Sequence, residues 1–257
     1  MKIVTWNVNS IKVRVPHVCD YLRATSPDVL LLQETKVADD KFPALEIEDL
    51  GYTVAIHGQR TYNGVAILSK HPMEDVIRGL PGNTDDDQSR YIEATILGLR
   101  IGSLYLPNGN PLGTEKFDYK LRWMAHLRDR ARSLLKDDVD FALGGDWNVA
   151  PEAEDLFDPG AFLDDAIAHP QSRALWREIN YLGLTESFRA LHPDLAQAWS
   201  YYDYQRGAWE KNHGIRIDHI LLSPRVADRL VEAGIDRNER GRTQPSDHVP
   251  VWCVLAD

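Results

Sequence analysis

The segment from Val139 to Val149 limits the possible folds and sites of this chain more than any other stretch. Val139 to Leu143 is predicted as a short buried strand, which two glycines then interrupt. Asp146 and Asn148 follow at a spacing of two, and in extended backbone this spacing directs both side chains the same way. Ligands of open α/β sheets bind just beyond the carboxyl ends of core strands. The segment therefore predicts a carboxylate and a carboxamide side by side at a ligand site.

Short strands alternate with helices along the rest of the chain. The apolar spacing predicts strands at residues 2–8, 29–33, 52–57, 64–69, 91–97, 100–106, 217–222 and 249–255, and helices at 13–24, 115–136 and 171–182. Asn63-Gly64 is a hairpin-type turn signal between the third and fourth strands. Because hairpins mix with crossovers, we expect an α/β sandwich with mixed sheets and helices on the outer faces.

Length and composition favour one domain. The 257 residues contain no fixed-period repeat, low-complexity tract or linker, so we expect a single domain over residues 1–257. The longest aliphatic run, Val29 to Leu32, is too short to span a membrane, and no signal peptide precedes the first strand. Cys19 and Cys253 lie in apolar contexts, which predicts buried reduced thiols in a cytoplasmic protein.

Net charge limits the choice of partner only weakly. The formal net charge of -10 argues mildly against a nucleic-acid partner. Such a partner needs only a local basic surface, however, so the charge does not exclude one.

Six predicted strand ends carry polar groups that suit metal and phosphate chemistry. They are Asn7, Glu34, Tyr105, Asp146 with Asn148, Asp218, and Asp247 with His248. Oxygen donors without a thiolate favour Mg²⁺ or Mn²⁺ over Zn²⁺. A neighbouring carboxylate is a usual means of orienting and charging an imidazole such as that of His248. Together these groups match the needs of phosphodiester hydrolysis, in which negative charges must meet.

Each of these residues taken alone also has a structural interpretation. Asp146 and Asn148 are common turn formers after a strand. Glu34 can be a solvated carboxylate, Asn7 a cap, and Tyr105 an aromatic packed on a neighbouring strand. The functional interpretation therefore depends on the ordered set as a whole.

That ordered set resembles a known family over nearly the whole chain. The motifs are Thr5-Trp6-Asn7-Val8-Asn9, Leu32-Gln33-Glu34-Thr35-Lys36, Tyr105-Leu106-Pro107-Asn108-Gly109, Gly145-Asp146-Trp147-Asn148-Val149, Arg216-Ile217-Asp218-His219 and Ser246-Asp247-His248-Val249-Pro250. They resemble exonuclease III, the bacterial apurinic/apyrimidinic endonuclease branch of the endonuclease/exonuclease/phosphatase superfamily. The resemblance implies a four-layered α/β sandwich of two mixed sheets. It also implies a monomeric, Mg²⁺- or Mn²⁺-dependent DNA repair nuclease that incises duplex DNA 5′ to abasic sites, digests it 3′ to 5′ and clears blocked 3′ ends.

The resemblance also implies a role for each site residue. Glu34 and Asp247 would bind the metal, with Asn7 close by as a ligand or phosphate contact. Asp146 would handle the proton of the attacking water or leaving oxygen, and Asn148 would orient the water and the phosphate. Tyr105 would hydrogen-bond the phosphate, and His248, paired with Asp218, would stabilise its charge. The resemblance leaves open whether one metal ion or two is bound, so Asp146, Asn148 and His248 are further candidate ligands.

Contacts to DNA are implied in three regions. Lys12 and Arg14 fall in a loop that is basic in the family, and Asn108 and Asn110 fall in the Pro-Asn-Gly loop. Arg237, Arg240 and Arg242 precede the last motif, where they are placed to meet phosphates. The pocket for an extruded abasic sugar is expected to be lined by Tyr201, Tyr202, Ile215 and Ile217. Ile215 departs from the family pattern, which usually has Trp there, and this puts the preference of the pocket in doubt.

Three alternative functions differ in what they require. A sister phosphoesterase, acting on inositol phosphates, sphingomyelin or RNA, would keep the same metal centre with different substrate loops. A non-catalytic DNA-binding protein would not need the complete set of acids, His and amides. A purely structural α/β domain needs no polar residues at six strand ends.

Overall fold

The computed structural model of the chain describes residues 1–256, which form twelve strands and six α-helices. The strands are β1 (Lys2–Asn7), β2 (Val29–Gln33), β3 (Thr53–His57), β4 (Val65–Ser69), β5 (Glu74–Arg78), β6 (Tyr91–Ile96), β7 (Leu99–Tyr105), β8 (Phe141–Asp146), β9 (Thr185–Glu186), β10 (Asp218–Leu222), β11 (Leu230–Ile235) and β12 (Val251–Leu255). The helices are α1 (Ile11–Thr25), α2 (Ala44–Glu48), α3 (Glu115–Lys136), α4 (Pro170–Asn180), α5 (Ser187–Leu191) and α6 (Pro224–Ala227).

The strands form two six-stranded mixed sheets, in the orders β11-β12-β1-β2-β4-β3 and β5-β6-β7-β8-β10-β9. Each sheet contains one parallel pair, β1 with β2 and β7 with β8, and its other neighbours are antiparallel. The carboxyl ends of each parallel pair lie at the same edge. Side chains that end these four strands are therefore brought to one side of the molecule.

Apolar side chains from both sheets meet in a central core, and helices cover the outer faces. Leu31 and Ile67 of the first sheet pack in the same cluster as Ile101 and Ile220 of the second. Residues of α1 and α2 pack on the outer face of the first sheet, and α3 and α4 cover the second. Fully burying one such Leu or Ile stabilises the fold by about 1.5–3 kcal/mol. The predicted four-layered α/β sandwich is confirmed.

The prediction that two glycines end the strand before Asp146 is wrong. β8 continues through Gly144 and Gly145 to Asp146. A Cβ atom on Gly145 would lie 2.0 Å from the carbonyl oxygen of Leu104, and one on Gly144 would lie 2.7 Å from the side chain of Leu31. The glycines therefore permit a close approach of β8 to its neighbours, which places Asp146 directly beside β7.

The predicted strand pair across a loop containing Asn63-Gly64 is confirmed, since β3 and β4 pair and residues 58–64 connect them. The carbonyl oxygens of Asn63 and Gly64 accept hydrogen bonds from the backbone amides of Lys36 and Thr35, at 2.9 and 3.1 Å. The connection thereby fixes the backbone just after Glu34.

Two longer strands were not predicted from the sequence. In β5, four of the five residues are exposed, and apolar residues do not alternate with charged ones along the strand. The other strand, β11, is also a partly exposed edge strand. Such strands lack the apolar periodicity that marks a strand in a sequence. Cys19 and Cys253 are buried free thiols, as predicted. Among residues 1–256, no helix combines the length and the apolar character that crossing a membrane requires.

A buried ionic network lies behind β10. The Arg216 guanidinium, only 2% exposed, bonds the Asp155 carboxylate at 2.8 Å and lies 3.2 Å from that of Glu186. A further N–H of Arg216 points at Nδ1 of His219, 3.0 Å away, and Nε2 of His219 lies 2.9 Å from the carbonyl oxygen of Val149. His219 is therefore the tautomer that carries its proton on Nε2. The network ties residues 149–155 to β9 and β10.

This network predicts a loss of stability in acid. Burial opposes the charge of Glu186, but Arg216 outweighs it and lowers the pKa of Glu186 from 4.5 to about 2. Because the folded pKa is depressed, the stabilisation is complete above pH 4.5 and is lost as the pH falls towards 2. It corresponds to roughly 3 kcal/mol at neutral pH. We expect Glu186→Gln to lower the free energy of unfolding in urea at pH 7, and by about 1 kcal/mol less at pH 3.5.

Glu48→Gln provides the matched control, since Glu48 is exposed. It should change the free energy of unfolding little at either pH. An equal deficit of Glu186→Gln at both pH values would contradict the assignment of the ionised pair.

Candidate active site

A cavity of about 540 Å³ opens where the strands of both sheets end. The register of the second sheet pairs Asp146, the last residue of β8, with Tyr105 of β7 and with Asp218 of β10. Of the predicted site residues, the cavity is lined by Glu34, Tyr105, Asn108, Asp146, Asn148, Tyr201, Ile215, Ile217, Asp247 and His248. Most of the predicted polar set is thus brought together in one place.

Asn7 connects the two sheets at the base of this cavity. Its side-chain nitrogen donates to Glu34 Oε1 at 2.8 Å and to Asp146 Oδ2 at 2.9 Å. Its side-chain oxygen accepts from the backbone amide of Asn9 at 3.0 Å, which fixes the orientation of the amide. Asn7 therefore faces the carboxylates with its NH₂ group. In this orientation it positions both acids rather than offering an oxygen to a metal ion.

Lys36 holds the second oxygen of Glu34. Its ammonium lies 2.7 Å from Glu34 Oε2 and also donates to the Asn9 side chain. Burial raises the pKa of Glu34, but the Lys36 charge and the Asn7 hydrogen bond outweigh burial, and the pKa is lowered overall. Glu34 is therefore ionised at neutral pH. Lys36 belongs to the motif that contains Glu34, yet sequence reasoning assigned it no role. Alternation in extended backbone could not have identified it, because Glu34 and Lys36 both have left-handed backbone, with φ of +50° and +56°.

His248 lies between two carboxylates. Its Nδ1 is 2.9 Å from Asp218 Oδ2, and its Nε2 is 3.6 Å from Asp146 Oδ2. Ser200 donates its hydroxyl to Asp218 at 2.6 Å and fixes that carboxylate. Burial lowers the pKa of His248, but the charges of Asp218 and Asp146 outweigh it and raise the pKa to about 10. The imidazole is therefore held as a cation that points at Asp146.

Asp146 differs from Glu34, because its pKa is raised and not lowered. Burial, together with the charges of Asp218 and Glu34, raises its pKa to about 7, although His248 opposes the rise. A carboxyl group with this pKa can both accept and release a proton near neutrality. We call Glu34, Asp146, Asp218 and His248 the carboxylate centre.

Asn148 reaches the cavity through a turn and not through extended backbone, as had been predicted. Its φ is +47°, in the left-handed region, and its backbone amide donates to Asp146 Oδ1 at 3.0 Å. The side chain donates to the carbonyl oxygen of Leu106 and accepts from Asn108, at 2.8 and 3.2 Å. The two residues still share one cavity because the turn folds Asn148 back onto the Asp146 carboxylate.

Lys120 supports this turn and was not identified from the sequence. Its fully buried ammonium donates to three carbonyl oxygens, those of Asn108, Asn148 and Ala166, at 3.0, 2.6 and 3.1 Å. Burial lowers the pKa of Lys120 to about 7, against the charges of Asp165 and Asp146. Three carbonyl acceptors match the three N–H donors of the charged form. The sequence gives no separate signal for Lys120, because α3 carries several other Lys and Arg residues, among them the exposed Lys116 and Arg122.

Tyr105 ends β7 beside the carboxylate centre. The Arg90 guanidinium covers its ring at 4.7 Å. Burial and the charges of Glu34 and Asp146 raise the pKa of Tyr105 well above its ordinary value. Its hydroxyl therefore keeps its proton and can donate a hydrogen bond into the cavity.

Of the four residues predicted to line a sugar pocket, three line the cavity. Tyr201, Ile215 and Ile217 line the cavity, and the Tyr201 ring packs edge-on against His248 at 4.9 Å. Tyr202 does not line it, because consecutive side chains of extended backbone point to opposite sides. Its ring is fully buried against Trp209.

The predicted basic contacts are largely used within the protein. Lys12 and Arg14 lie in the first turn of α1, not in a loop. Lys12 is exposed, but Arg14 donates to the carbonyl oxygens of Asn9 and Pro245 and to the Tyr204 hydroxyl. Arg14 therefore joins three segments at the rim of the cavity.

The arginines before the last motif are also engaged. Arg240 is buried and lies 5.1 Å from the Tyr204 ring, and Arg242 pairs with Asp20 and Glu239. Arg237 lies over the Trp209 ring at 4.8 Å.

The centre has the donor chemistry of a divalent-cation site. Ligand atoms of Glu34, Asp146 and His248 all lie within 4.8 Å of one another. Asp247 lines the same cavity, where Asn9 donates to its Oδ1 at 3.1 Å. Burial, and after it the charges of Asp218 and Glu34, raise the pKa of Asp146, and a bound cation would offset the repulsion between these carboxylates. Hard oxygen donors suit such an ion, whereas a protonated His248 is not a ligand.

The Lys120 contacts predict a large stability effect. We expect Lys120→Met to leave three buried carbonyl groups without a donor and to destabilise the fold by at least about 2 kcal/mol. Thermal unfolding should then occur roughly 4–8 °C lower. Lys116→Met is the control, since Lys116 is exposed on the same helix. Equal melting temperatures for the two variants would contradict the role assigned to Lys120.

Comparison with known proteins places this geometry in a family. Residues 4–248 match the model of the endonuclease/exonuclease/phosphatase family. Exodeoxyribonuclease III of Haemophilus influenzae is 34% identical, over 98% of each chain. A 3′ phosphatase from Neisseria, solved with a product DNA hairpin, is 40% identical over 100% of both chains, with a TM-score of 0.97. An AP endonuclease from Archaeoglobus fulgidus is 36% identical over 99% of both chains, with a TM-score of 0.95. The chain belongs to the endonuclease/exonuclease/phosphatase family, in its exonuclease III and AP endonuclease branch.

Proposed function

We propose that this chain is a DNA repair nuclease that hydrolyses phosphodiester bonds of duplex DNA with Mg²⁺ or Mn²⁺. The observation that carries the proposal is the carboxylate centre, where Nε2 of His248 lies 3.6 Å from Asp146 Oδ2 and Asn7 donates to both Glu34 and Asp146. The names of its relatives, an exodeoxyribonuclease, an AP endonuclease and a DNA-bound 3′ phosphatase, support the same reaction class. We propose three activities, namely incision 5′ to abasic sites, 3′ to 5′ exonuclease and cleaning of blocked 3′ ends.

Glu34, Asp146 and Asp247 would hold the metal ion. When bound, the ion supplies positive charge that offsets the negative charge of the scissile phosphate. Lys36 and Asn7 fix the two oxygens of Glu34, so this carboxylate is oriented before the ion arrives. Asn7 also donates to Asp146, which sets the distance between the two acids.

Each residue of the centre has its own task in the hydrolysis. Asp146 accepts the proton of the attacking water, and Asn148 orients that water and the phosphate. The water oxygen bonds to phosphorus as the bond from phosphorus to O3′ breaks, and the O3′ atom leaves as a hydroxyl group with a proton taken from solvent. His248, kept protonated by Asp218, and the Tyr105 hydroxyl stabilise the negative charge on the phosphate oxygens.

The rim of the cavity would bind the DNA. Lys12 and Asn108 are exposed and would contact phosphates, while Arg14 organises the rim by its bonds to Asn9 and Tyr204. Tyr201, Ile215 and Ile217 form an apolar corner beside His248 that suits a sugar without a base. We propose that the chain acts as a monomeric single domain, in the bacterial cytoplasm where the chromosome lies.

Two labelled duplexes test the proposed function, one with a single abasic-site analogue and one intact with a recessed 3′ end. With Mg²⁺ we expect incision 5′ to the analogue and digestion from the 3′ end, and EDTA should abolish both. Digestion from the 3′ end alone would remove the abasic activity from the proposal. If neither duplex is cut in a metal-dependent way, a sister phosphoesterase becomes the better assignment.

Asp146→Asn tests the proton acceptor. An amide cannot take the proton of water, so we expect turnover to fall by about 10²–10⁴-fold while duplex binding, measured by fluorescence anisotropy, is retained. Asp85→Asn, on an exposed loop, is the matched charge control and should keep wild-type turnover. Full activity of Asp146→Asn would exclude the role of Asp146.

A further inference from the structure

Three aromatic rings border the same cavity outside the carboxylate centre and the apolar corner. They belong to Phe157, Phe162 and His213, which we call the aromatic wall. The Phe157 and His213 rings are stacked, with centroids 4.6 Å apart and planes 7° apart. Phe162 meets Phe157 edge-on, with centroids 5.8 Å apart. No step of the proposed hydrolysis uses these rings.

Backbone pairing holds the aromatic wall in place. The Phe157 amide donates to the carbonyl oxygen of Gly214 at 3.1 Å, and Leu156 and Tyr201 both form β-bridges with Ile215. A Cβ atom on Gly214 would lie 2.5 Å from the Trp199 side chain, so only glycine permits this packing. The aromatic wall is therefore continuous in backbone with the apolar corner that Ile215 helps to form.

The aromatic wall exposes more apolar surface than a bare sugar requires. The Phe157 side chain is 38% exposed although it borders a cavity lined by charged groups. The cavity volume of about 540 Å³ lies in the range of pockets that enclose whole drug-sized ligands, roughly 300–1,000 Å³. A nucleotide is of this size, whereas a deoxyribose without its base is much smaller.

We propose that the aromatic wall binds the nucleobase of the nucleotide on the 3′ side of the scissile phosphate. This inference rests on the proposed nuclease function. When that phosphate lies at the carboxylate centre and its sugar lies against Ile215, the attached base extends to the neighbouring rings. In 3′ to 5′ digestion this nucleotide is the one released, as a 5′-monophosphate. The aromatic wall thus favours an intact terminal nucleotide over one that has lost its base.

The aromatic wall offers stacking faces beside the polar side chains of Asp203, Gln205 and Arg206, which line the same cavity. The nearby amide of Asn110 is already engaged, since it donates to Asp165 at 2.9 Å and accepts from the backbone amide of Ala166 at 2.9 Å. Aromatic faces stack on every base, so they discriminate little between the four bases. The aromatic wall therefore distinguishes a base from no base.

Two recessed duplexes that differ in one group test the proposal. The first carries a normal 3′-terminal nucleotide, and the second carries a tetrahydrofuran nucleotide, which has the sugar and phosphates but no base. Wild-type protein with Mg²⁺ should release the normal nucleotide with a kcat/KM at least about fivefold higher, a factor typical of one base-stacking contact. The difference should lie in KM, since stacking is made in the ground state and transition state alike.

Phe157→Ala should lower this ratio of kcat/KM values towards one, and Phe157→Tyr should restore it because a stacking face returns. Leu163→Ala is the matched control, since Leu163 is 76% exposed on the same segment and does not line the cavity. Because Phe157 is partly exposed, its variants should fold, and their unfolding temperatures verify this. His213→Ala supplies a second, independent truncation of the aromatic wall and should lower the ratio in the same direction.

The outcomes separate this inference from the proposed function. A wild-type ratio near one, or a ratio that Phe157→Ala and His213→Ala leave unchanged, overturns the role of the aromatic wall while the nuclease function stands. Metal-dependent release from neither duplex overturns both. A Phe157→Ala ratio that Phe157→Tyr does not restore overturns the stacking mechanism.

Discussion

Electrostatic repulsion between neighbouring carboxylates is the constraint on which this site depends. Asp146 and Asp218 are buried, Glu34 is nearly so, and each residue placed around them offsets part of their charge. Lys36 neutralises Glu34, His248 lies between the two aspartates, and Asn7 donates to two acids at once. Burial, with the negative charges of Asp218 and Glu34, still raises the pKa of Asp146. A bound cation would therefore complete the charge balance of the centre. Asp146 is the residue at which the centre can transfer a proton.

The two sheets bring the side chains of the carboxylate centre together because their backbones approach each other closely. Gly144 and Gly145 allow β8 to pack against Leu104 and Leu31 without Cβ atoms, so Asp146 emerges between the two sheets. A side chain at either position would push β8 outward and separate Asp146 from Asn7, which belongs to the other sheet. The 2.9 Å hydrogen bond from Asn7 to Asp146 depends on the close approach of the two sheets.

The sequence predicted the sandwich and its buried strands, and most of the residues proposed for the site line one cavity, because strand ends of a parallel pair must meet at one edge. It could not predict which way Asn7 turns its amide, since the partner that fixes it is the backbone amide of Asn9. Tyr202 was misplaced because a single residue of register reverses the face. Lys120 was missed because burial, not residue type, distinguishes it from other basic residues of α3. Edge strands such as β5 have no apolar periodicity, so tertiary pairing alone defines them.

The hydrolytic residues and the residues proposed to select the substrate lie in different parts of this fold. The carboxylate centre lies on strand ends, which are held by two ladders of hydrogen bonds and vary little in geometry. The aromatic wall lies on the irregular segments around Phe157 and His213, which loops can alter without moving a strand. These segments are still anchored, since Arg216 binds Asp155 and His219 binds the carbonyl oxygen of Val149. A change of wall residues can therefore redirect the enzyme between nucleotides with and without a base while the hydrolytic centre stays in place.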